Sequence, residues 1–341
     1  MNKPVAAHQR CSVANQVLLN VKYLITGGAG FIGSHLAEKL VSLNHDVVVL
    51  DNFSTGSHSN LVRLVESNRF SFVQGDVTEY ELVSELVENC DGIFHLAAAV
   101  GVKKILDDPL GSLKTNLKGT ENILYAATRY QKRVLIASTS EIYGKNDAEP
   151  LTEEANRVLG SPLTIRWTYS EAKAIDEALA RVLYEREGLK VQIIRFFNTV
   201  GPRQSPSYGM AIPTFFQAAV NNQPLSIYGD GMQRRVFCHI QDAVDGTLAL
   251  WNSDSGYGEA FNLGGFEETT ILDLAKRILS LTKSKSTLRF VPYDELARIG
   301  YEDMKRRIPV TKKIENVTGW RAIRDIDLIL ADTFHTQFIG D

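Results

Sequence analysis

Short apolar runs alternate with amphipathic segments of helix length through residues 21–200, and this rhythm restricts the possible folds more than any other feature. Continuous apolar strands joined by helices are typical of a parallel sheet that is covered on both faces. The sequence therefore predicts an α/β fold with a doubly wound parallel sheet of the Rossmann type. The predicted strands are Val21–Ile25, Val47–Leu50, Phe70–Gln74, Gly92–Ala97, Arg133–Ala137 and Lys190–Phe196, and the predicted helices are Ile32–Leu43, Glu79–Glu88, Thr115–Arg129 and Tyr169–Glu187.

The rhythm changes after residue 201, where the chain is interrupted by Pro202, Pro206, Gly209 and Pro213. Segments of this kind are better suited to forming a pocket over a sheet than to extending it. We therefore expect an N-terminal extension over residues 1–20, a Rossmann domain over 21–200 and a smaller C-terminal substrate-binding lobe over 201–341. We also expect the lobe to be intertwined with the Rossmann domain.

Charge and composition exclude several classes of protein. The 37 Lys and Arg against 40 Asp and Glu give a net charge of −3, which offers no electrostatic support for a nucleic-acid partner. Residues 1–20 lack a signal-peptide core, and no segment approaches the ~20 apolar residues of a membrane span. The three cysteines, Cys11, Cys90 and Cys238, lack C-x-x-C spacing. We expect a cytoplasmic protein with free thiols, no metal site and no membrane partner.

A glycine-rich turn directly follows the first predicted strand and opens the first predicted helix. Gly27 permits the tight turn, Gly30 lets the backbone approach a pyrophosphate, and Gly33 allows close packing of helix against strand. The phosphates would meet the helix N-terminus at Phe31 and Ile32, where free N–H groups and the helix dipole favour negative charge. The turn therefore predicts a dinucleotide site.

Carboxylates and small residues at three other predicted strand ends extend this site. Asp51 ends the second strand, where a carboxylate accepts both ribose hydroxyls of an adenosine and repels a 2′-phosphate, which selects NAD over NADP. Asn52 follows it without an adjacent Arg or Lys. Asp76 and Val77 come after the third strand, where Asp76 can face the adenine amino group. Small side chains that suit close passage of the cofactor follow the fourth strand, at Leu96, Ala97 and Ala98.

Tyr169 and Lys173 stand four positions apart at the start of a predicted helix, so both side chains lie on one helix face. A phenol with a pKa near ~10 is a poor base at neutral pH, but an adjacent ammonium group favours its phenolate. Tyr169 can then remove a hydroxyl proton while a hydride leaves the same carbon for a nicotinamide.

The glycine spacing, Asp51, Asp76-Val77 and the Leu-Ala-Ala turn together resemble the extended short-chain dehydrogenases/reductases, which include NAD-dependent nucleotide-sugar epimerases and dehydratases. The resemblance covers residues 21–330. It implies that Lys173 also holds the nicotinamide ribose and that Thr139 bonds the hydroxyl that Tyr169 oxidises. It further implies a nucleotide-sugar substrate held mainly by residues 201–341, and a homodimer through the helices Thr115–Arg129 and Tyr169–Glu187.

The turn Thr139-Ser140-Glu141, which faces the reacting sugar in this family, separates its subclasses. T-S-E is similar to UDP-glucuronate decarboxylases and to GDP-mannose 4,6-dehydratases, whereas T-S-S resembles 4-epimerases. T-D-E resembles the 4,6-dehydratases of hexoses linked to thymidine diphosphate. An acid such as Glu141 can move a proton at the carbon next to the new ketone.

Two further motifs resemble the decarboxylase domain that acts in aminoarabinose modification of lipid A. Arg166 begins an R-W-x-Y-S motif, and Tyr301-Glu302-Asp303 begins a Y-E-D-x-x-x-R-x-P motif in which the arginine maps to Arg307. A planar guanidinium suits a sugar carboxylate because it binds in a bidentate manner. The family's remaining substrate contacts map to Asn198 at the diphosphate, Tyr228 near the nucleotide base and Arg235 at the diphosphate.

The hypothesis closest to these motifs is a UDP-glucuronate decarboxylase that forms UDP-xylose or a 4-keto-pentose. NAD would oxidise C4 with Tyr169 as base, Lys173 tuning it and Thr139 assisting, and the β-keto acid would then lose CO₂. Glu141 and Arg307 would orient the carboxylate and handle the enolate proton. Three alternatives stay open: a 4-epimerase of a UDP-hexose or UDP-uronate, a GDP-mannose 4,6-dehydratase-like enzyme, and a non-catalytic NAD-binding scaffold.

Overall fold

The computed structural model describes residues 20–146, 150–208, 210–293 and 304–339. The strands are β1 (Lys22–Thr26), β2 (Asp46–Asp51), β3 (Phe70–Gln74), β4 (Gly92–His95), β5 (Arg133–Thr139), β6 (Val191–Phe196), β7 (Thr199–Val200), β8 (Leu225–Tyr228), β9 (Arg234–Val236), β10 (Cys238–His239), β11 (Ala260–Leu263), β12 (Glu268–Thr270), β13 (Leu288–Val291) and β14 (Arg306–Arg307). The helices are α1 (Phe31–Ser42), α2 (Tyr80–Glu88), α3 (Val102–Asp107), α4 (Pro109–Arg129), α5 (Thr168–Glu187), α6 (Ala211–Val220), α7 (Ile240–Asn252), α8 (Ile271–Thr282), α9 (Lys312–Thr318) and α10 (Ile326–Phe334).

A seven-stranded parallel sheet forms the centre of the molecule, with the strand order β11-β6-β5-β4-β1-β2-β3. The chain order reverses between β1 and β4, and this is where open α/β sheets bind ligands at the carboxyl ends of their strands. The predicted doubly wound α/β fold is confirmed.

Apolar side chains alternate between the two faces of this sheet and are buried on both. Ile25 and Val49 belong to a core with α1 and α7, whereas Leu24 and Val48 belong to a core on the opposite face with α2, α4 and α5. Each buried aliphatic side chain contributes about 1.5–3 kcal/mol relative to an exposed one. This explains why the strands read as continuous apolar runs rather than as alternating ones.

The six predicted strands and four predicted helices are all present, but three of their ends differ by two residues or more, one of them the end of β5, predicted at Ala137 and found at Thr139. The strand predicted to reach Ala97 ends at His95. The helix predicted to begin at Thr115 begins at Pro109, because the Asp108 side chain accepts a hydrogen bond of 3.0 Å from the Gly111 N–H and caps it. Proline suits the first helical position, where its missing N–H costs nothing.

The C-terminal part of the chain contributes to both regions of the molecule. β11 joins the large sheet beside β6, with Ala260 opposite Ile193, and lies beyond the strands predicted over residues 21–200. Three small sheets, β10-β7, β12-β9-β14 and β13-β8, lie outside it. A separate apolar core joins α6, α8 and α10. None of the helices in the described ranges is long and apolar enough to cross a membrane.

Two parts of the sequence interpretation lie outside the described residues. They are residues 1–19 of the expected N-terminal extension and the Tyr301-Glu302-Asp303 that begins the second decarboxylase-like motif. The arginine of that motif, Arg307, is within the described part of the chain.

Candidate functional site

Backbone atoms leave no space for a side chain at two glycines of the turn between β1 and α1. Gly27 has a φ of +71°, and a Cβ there would lie 2.7 Å from the backbone nitrogen of Ala97. A Cβ on Gly33 would lie 2.3 Å from the carbonyl oxygen of Gly27. The first α1 turn is therefore seated directly on the loop, and the loop on the end of β4, as a pyrophosphate-binding turn requires.

Asp51 ends β2 beside this turn and stabilises it. Its carboxylate accepts hydrogen bonds from the backbone N–H of Ala29 at 3.0 Å and of Phe53 at 2.8 Å. Burial raises the pKa of Asp51, although these two bonds act in the opposite direction. The side chain is thus a buried structural acceptor at the rim of the predicted dinucleotide site rather than a solvated strand-end carboxylate.

A cavity of about 1230 Å³ opens over the glycine turn. Eleven of the predicted cofactor-binding residues line it: Gly27, Gly30, Phe31, Ile32, Gly33, Asp51, Asn52, Val77, Leu96, Ala97 and Ala98. Asp76 lies just behind it, where its carboxylate accepts hydrogen bonds from the Asn52 amide at 2.7 Å and the Thr78 N–H at 2.8 Å. The cavity fits a dinucleotide in size and in its helix N-terminus, and Arg63 also lines it.

The predicted catalytic pair lies at the start of α5. Tyr169 and Lys173 are both buried, and Thr139 lies within hydrogen-bond reach of the phenol. Burial raises the pKa of Tyr169, and the carboxylates of Glu141 and Asp176 raise it further, whereas the Thr139 hydrogen bond lowers it. Without additional positive charge this phenol stays protonated at neutral pH.

The Lys173 ammonium pairs with a carboxylate that was not predicted as a site residue. Its Nζ lies 3.2 Å from Oδ2 of Asp176, one helical turn further along α5. Both side chains are buried. The net shift of the Tyr169 pKa is upward, so the lowering of that pKa by Lys173 stays a prediction.

Glu141 lies between two arginines in the turn after β5. It forms ion pairs with Arg166, which precedes α5, and with Arg307 in β14. Burial would raise the pKa of Glu141, but the Arg307 and Arg166 guanidinium groups outweigh it and lower that pKa to about 2. The structure thus brings together three predicted site residues that are 25 and 166 positions apart.

Asn198 links this cluster to the loop after β6. Its Oδ1 accepts a hydrogen bond of 2.7 Å from Arg307, and its Nδ2 donates to the Val236 carbonyl at 2.7 Å. The predicted diphosphate contact of Asn198 would therefore have to replace one of these bonds or add to them. Arg307 retains a buried Nε that has no hydrogen-bond partner among the described residues.

Strand pairing decides which arginines face the cluster. β14 runs parallel to β9, with Arg307 opposite Arg235 and Arg306 opposite Arg234. Because successive side chains of a strand point to opposite faces, each aligned pair shares one face. Arg306 and Arg234 both bind Glu268, whereas the buried Arg235 donates to the Met304 carbonyl at 2.8 Å.

The other predicted substrate residues are separated from the large cavity. Ser140 is buried in the turn beside Glu141, and Tyr228 ends β8 with 36% of its surface exposed. None of the predicted catalytic or substrate-binding side chains lines that cavity in the described part of the chain. Over the same residues, no group of three or more His, Cys, Asp or Glu is arranged to hold a metal ion.

Sequence reasoning missed the acidic residues behind the catalytic turn. Glu177 accepts hydrogen bonds from Arg195 at 2.6 and 2.9 Å and from the Ser138 hydroxyl at 2.5 Å, which fixes the end of β5 just before Thr139. The available signal was the pair of acids three and four positions after Lys173, at Asp176 and Glu177. Their distance from the tyrosine along one helix face identifies them as candidate partners.

Known proteins with similar sequences and structures are consistent with this geometry. A family model described as GDP-mannose 4,6 dehydratase matches residues 24–333. UDP-N-acetyl-alpha-D-glucosaminuronate decarboxylase of Bacillus cytotoxicus is 39% identical over 295 residues, which cover 86% of this chain and 90% of that protein. UDP-glucuronic acid decarboxylase 1 of Danio rerio is 36% identical over 302 residues, which cover 89% of this chain and 69% of that protein.

Among solved structures, UDP-glucuronic acid 4-epimerase from Bacillus cereus, in complex with UDP-glucuronic acid and NAD, matches with a TM-score of 0.83 and 27% identity. The match covers 92% of this chain and 98% of that chain. The expected resemblance is therefore confirmed by sequence and by structure. The chain belongs to the GDP-mannose 4,6 dehydratase family of extended short-chain dehydrogenases/reductases.

Proposed function

We propose that this protein is an NAD-dependent decarboxylase of a UDP-linked uronic acid, with UDP-glucuronate as the preferred substrate. The observation that carries the proposal is the Arg166–Glu141–Arg307 cluster beside Tyr169. Arg307 has a buried Nε that has no hydrogen-bond partner among the described residues. A planar guanidinium with a remaining donor suits a carboxylate on the sugar.

The first half of the reaction is oxidation of the sugar at C4. NAD, when bound, accepts the hydride from C4, can return it later, and brings a positive charge on its oxidised ring. Tyr169 takes the proton from the C4 hydroxyl, and Thr139 holds the same oxygen by hydrogen bonding. Lys173, at the far end of the same helix turn, holds the ribose of the cofactor.

The second half is loss of CO₂ from the resulting β-keto acid. The C5–C6 bond breaks, its electron pair moves to the C4 ketone, and C5 then takes up a proton. Arg307 orients the carboxylate that leaves. Reduction of C4 before release would give a UDP-pentose, whereas release of the sugar before that reduction would give a 4-keto-pentose.

Glu141 acts mainly as an orienting group in this proposal. A carboxyl with a pKa lowered to about 2 is ionised at neutral pH and has no proton to donate while both arginines hold it. It can exchange a proton with C5 only after one arginine turns to the substrate. Its two ion pairs keep Arg166 and Arg307 in a fixed relative position.

NAD rather than NADP is the proposed cofactor because of Asp51. Its carboxylate lies at the cavity rim, where it repels a 2′-phosphate. NAD is bound in the epimerase from Bacillus cereus, which supports the same choice. Titration with each dinucleotide measures the preference, and an Asp51→Asn variant should reduce it.

Incubation of the protein with NAD and UDP-glucuronate tests the proposal. We expect CO₂ together with a UDP-pentose or 4-keto-pentose in the product mass spectrum. Unchanged substrate, or a C4 epimer that retains its carboxylate, would refute decarboxylation; the second product would establish the epimerase alternative. Loss of water from GDP-mannose would establish the dehydratase alternative.

A second candidate substrate is UDP-N-acetylglucosaminuronate. The relative from Bacillus cytotoxicus bears that substrate in its name and is 39% identical to this chain. The two uronates share the carboxylate and the C4 hydroxyl on which the proposed chemistry depends. Comparison of kcat/KM for both at equal enzyme concentration decides between them.

The proposal includes the organisation of the protein. Residues 21–200 form the NAD-binding domain, and residues 201–341 mainly bind the nucleotide sugar. α4 and α5 form a homodimer interface, for which the exposed apolar side chains Tyr125, Ile175 and Val182 are available. Sedimentation of the purified protein measures the oligomer, and fractionation of cells tests a cytoplasmic location.

A further inference from the structure

A continuous network of hydrogen-bonded, buried side chains connects the catalytic helix to the glycine turn. Asp176 Oδ2, which pairs with Lys173, lies 3.0 Å from the Thr120 hydroxyl of α4. Thr120 Oγ1 lies 3.1 Å from Nε2 of His95, and Nδ1 of His95 lies 2.7 Å from the Thr26 hydroxyl. All five residues are at most 3% exposed.

The hydrogen-bond network ends at the loop that contacts the proposed cofactor. Thr26 directly precedes Gly27, and its Oγ1 accepts a hydrogen bond of 3.3 Å from the Ala97 N–H. Ala97 is the residue whose backbone nitrogen lies 2.7 Å from a Cβ placed on Gly27. β1, β4, α4 and α5 are therefore joined by side chains at the point where the dinucleotide turn meets the sheet.

The donors and acceptors of this hydrogen-bond network can be satisfied in one arrangement. An ionised Asp176 only accepts, so the Thr120 hydroxyl donates to it and must then accept from His95 Nε2–H. His95 Nδ1 is then the unprotonated nitrogen and accepts from the Thr26 hydroxyl, which in turn accepts from Ala97 N–H. The hydrogen bonds of the network therefore all run in one direction, and they fix the tautomer of His95.

Electrostatics support the same arrangement. Burial lowers the pKa of His95, and the positive charge of Lys173 lowers it further, to about 3, so the imidazole is neutral at physiological pH. A neutral imidazole supplies one donor and one acceptor, which is what the two threonines require. A second buried cation would repel Lys173, and a neutral relay avoids this.

We propose that Asp176, Thr120 and His95 are positioning residues that hold the Lys173 ammonium in register with the glycine turn. The inference rests on the proposed oxidation at Tyr169, because it concerns how that centre is aligned with the cofactor. None of the three residues touches the substrate in this proposal. They act through Lys173, whose place sets the geometry between the phenol and the cofactor ribose.

Such a role differs from simple core stabilisation in what it changes. A displacement of the ammonium slows the chemical step, whereas the nucleotide-sugar contacts at Asn198, Arg235 and Arg307 stay intact. Loss of positioning therefore lowers kcat and leaves KM nearly unchanged. Loss of packing alone lowers the amount of folded enzyme and leaves the kcat of the folded fraction unchanged.

Substitution of Thr120 tests the role of the hydrogen-bond network with a matched control. Thr120→Val removes the hydroxyl and preserves the shape, and we expect kcat for UDP-glucuronate to fall about tenfold or more with KM within about twofold. Thr120→Ser restores the hydroxyl and should recover most of the loss. The control is Thr247→Val, because Thr247 is also buried in a helix but bonds only the Ala243 carbonyl, at 2.7 Å.

Asp176→Asn provides an independent variant. The amide keeps the size and the Thr120 bond but removes the charge that pairs with Lys173, and we expect a fall in kcat at least as large as that of Thr120→Val. Unchanged kcat in both variants, or a loss shared equally by Thr247→Val, would overturn the proposal.

The tautomer of His95 tests the arrangement of the hydrogen-bond network without any substrate. In the ¹⁵N spectrum of histidine-labelled protein, the signal that is lost in His95→Gln should report a protonated Nε2 and an unprotonated Nδ1. That pattern should persist down to about pH 4 in the wild type, since the pKa is lowered to about 3. A protonated Nδ1, or titration near pH 6.5, would overturn the arrangement.

The two readouts separate this inference from the proposed function. If the wild-type protein leaves UDP-glucuronate unchanged but His95 has the expected tautomer, the proposed function is refuted and the hydrogen-bond network is supported. If the protein is an active decarboxylase but His95 has the other tautomer, the network is refuted and the proposed function is supported.

Discussion

Replacement of Arg307 by methionine tests the proposed carboxylate site most directly. In the structure the Arg307 guanidinium binds Glu141 and donates to Asn198 at 2.7 Å, and 11% of its side chain is exposed. Methionine fills a similar volume without charge. Glu141 keeps its ion pair with Arg166, so the variant retains one arginine on that carboxylate and is expected to fold.

The size of the effect follows from the loss of a buried, charged hydrogen-bond donor to the substrate. Truncation of one partner of such a pair costs about 2–5 kcal/mol. Since each 1.4 kcal/mol corresponds to a factor of ten, kcat/KM for UDP-glucuronate should fall by roughly 30-fold to 4000-fold. The orphaned Asn198 Oδ1 contributes less, because that amide keeps its bond to Val236.

Two comparisons make the test specific. CO₂ release from UDP-glucuronate is measured beside NADH absorbance during oxidation of UDP-glucose, which has the C4 hydroxyl but no carboxylate. Arg306→Met is the matched control, since Arg306 adjoins Arg307 in β14 but binds Glu268 on the other face. We expect Arg306→Met to decarboxylate as the wild type does, with at most about 1 kcal/mol lost from the free energy of unfolding.

The reasoning would be refuted if Arg307→Met decarboxylated at the wild-type rate. It would also be refuted if the variant lost UDP-glucose oxidation to the same extent, because Arg307 would then serve the nucleotide or the fold rather than the carboxylate.

Three further predictions concern the base, the turn and pH. Tyr169→Phe should lower kcat about 10²- to 10⁴-fold while NAD binding by fluorescence titration stays unchanged, and a smaller loss would place the base elsewhere. Gly33→Ala puts a Cβ 2.3 Å from the Gly27 carbonyl oxygen and should cost about 1–3 kcal/mol with weaker NAD binding, whereas Gly188→Ala has open space and should cost about 1 kcal/mol through its positive φ alone. Burial lowers the pKa of His35 to about 4, so its contribution to stability is present above about pH 6.5 and is lost as pH falls towards 4. Urea unfolding at several pH values should show that the free energy of unfolding falls over this range in the wild type and falls less in His35→Gln.

The parts of the fold that were predicted correctly have local signals. β1, β2 and β5 contain runs of three or four apolar residues, and the glycine turn is defined by steric demands within a few residues of the sequence. The bounds of β11 were not predicted, because its four residues, with Asn262 among them, become a strand only by pairing with β6. That pairing joins segments about 70 positions apart and leaves no periodic pattern in the sequence.

The same limit applies to the site. Arg306 and Arg307 are identical in residue type, and only the register of β14 on β9 places one against Glu268 and the other against Glu141. The resemblance to decarboxylases identified Arg307, but no local pattern could. Asp176 was visible in the sequence three positions after Lys173, yet its burial depends on how α4 packs on α5.

The position of Glu141 between two arginines leads to a prediction about how the enzyme avoids holding its substrate too tightly. An arginine that fully neutralises the sugar carboxylate would stabilise the ground state and oppose loss of CO₂, since the negative charge must move to the C4 oxygen. Glu141 competes for Arg307 and so weakens that ground-state contact while it keeps the guanidinium in place. We therefore expect Glu141→Gln to lower both KM and kcat for UDP-glucuronate, the pattern that removal of ground-state destabilisation produces. Steady-state kinetics of CO₂ release measure both constants, and a KM that rises as kcat falls would show that Glu141 instead contributes directly to binding the sugar.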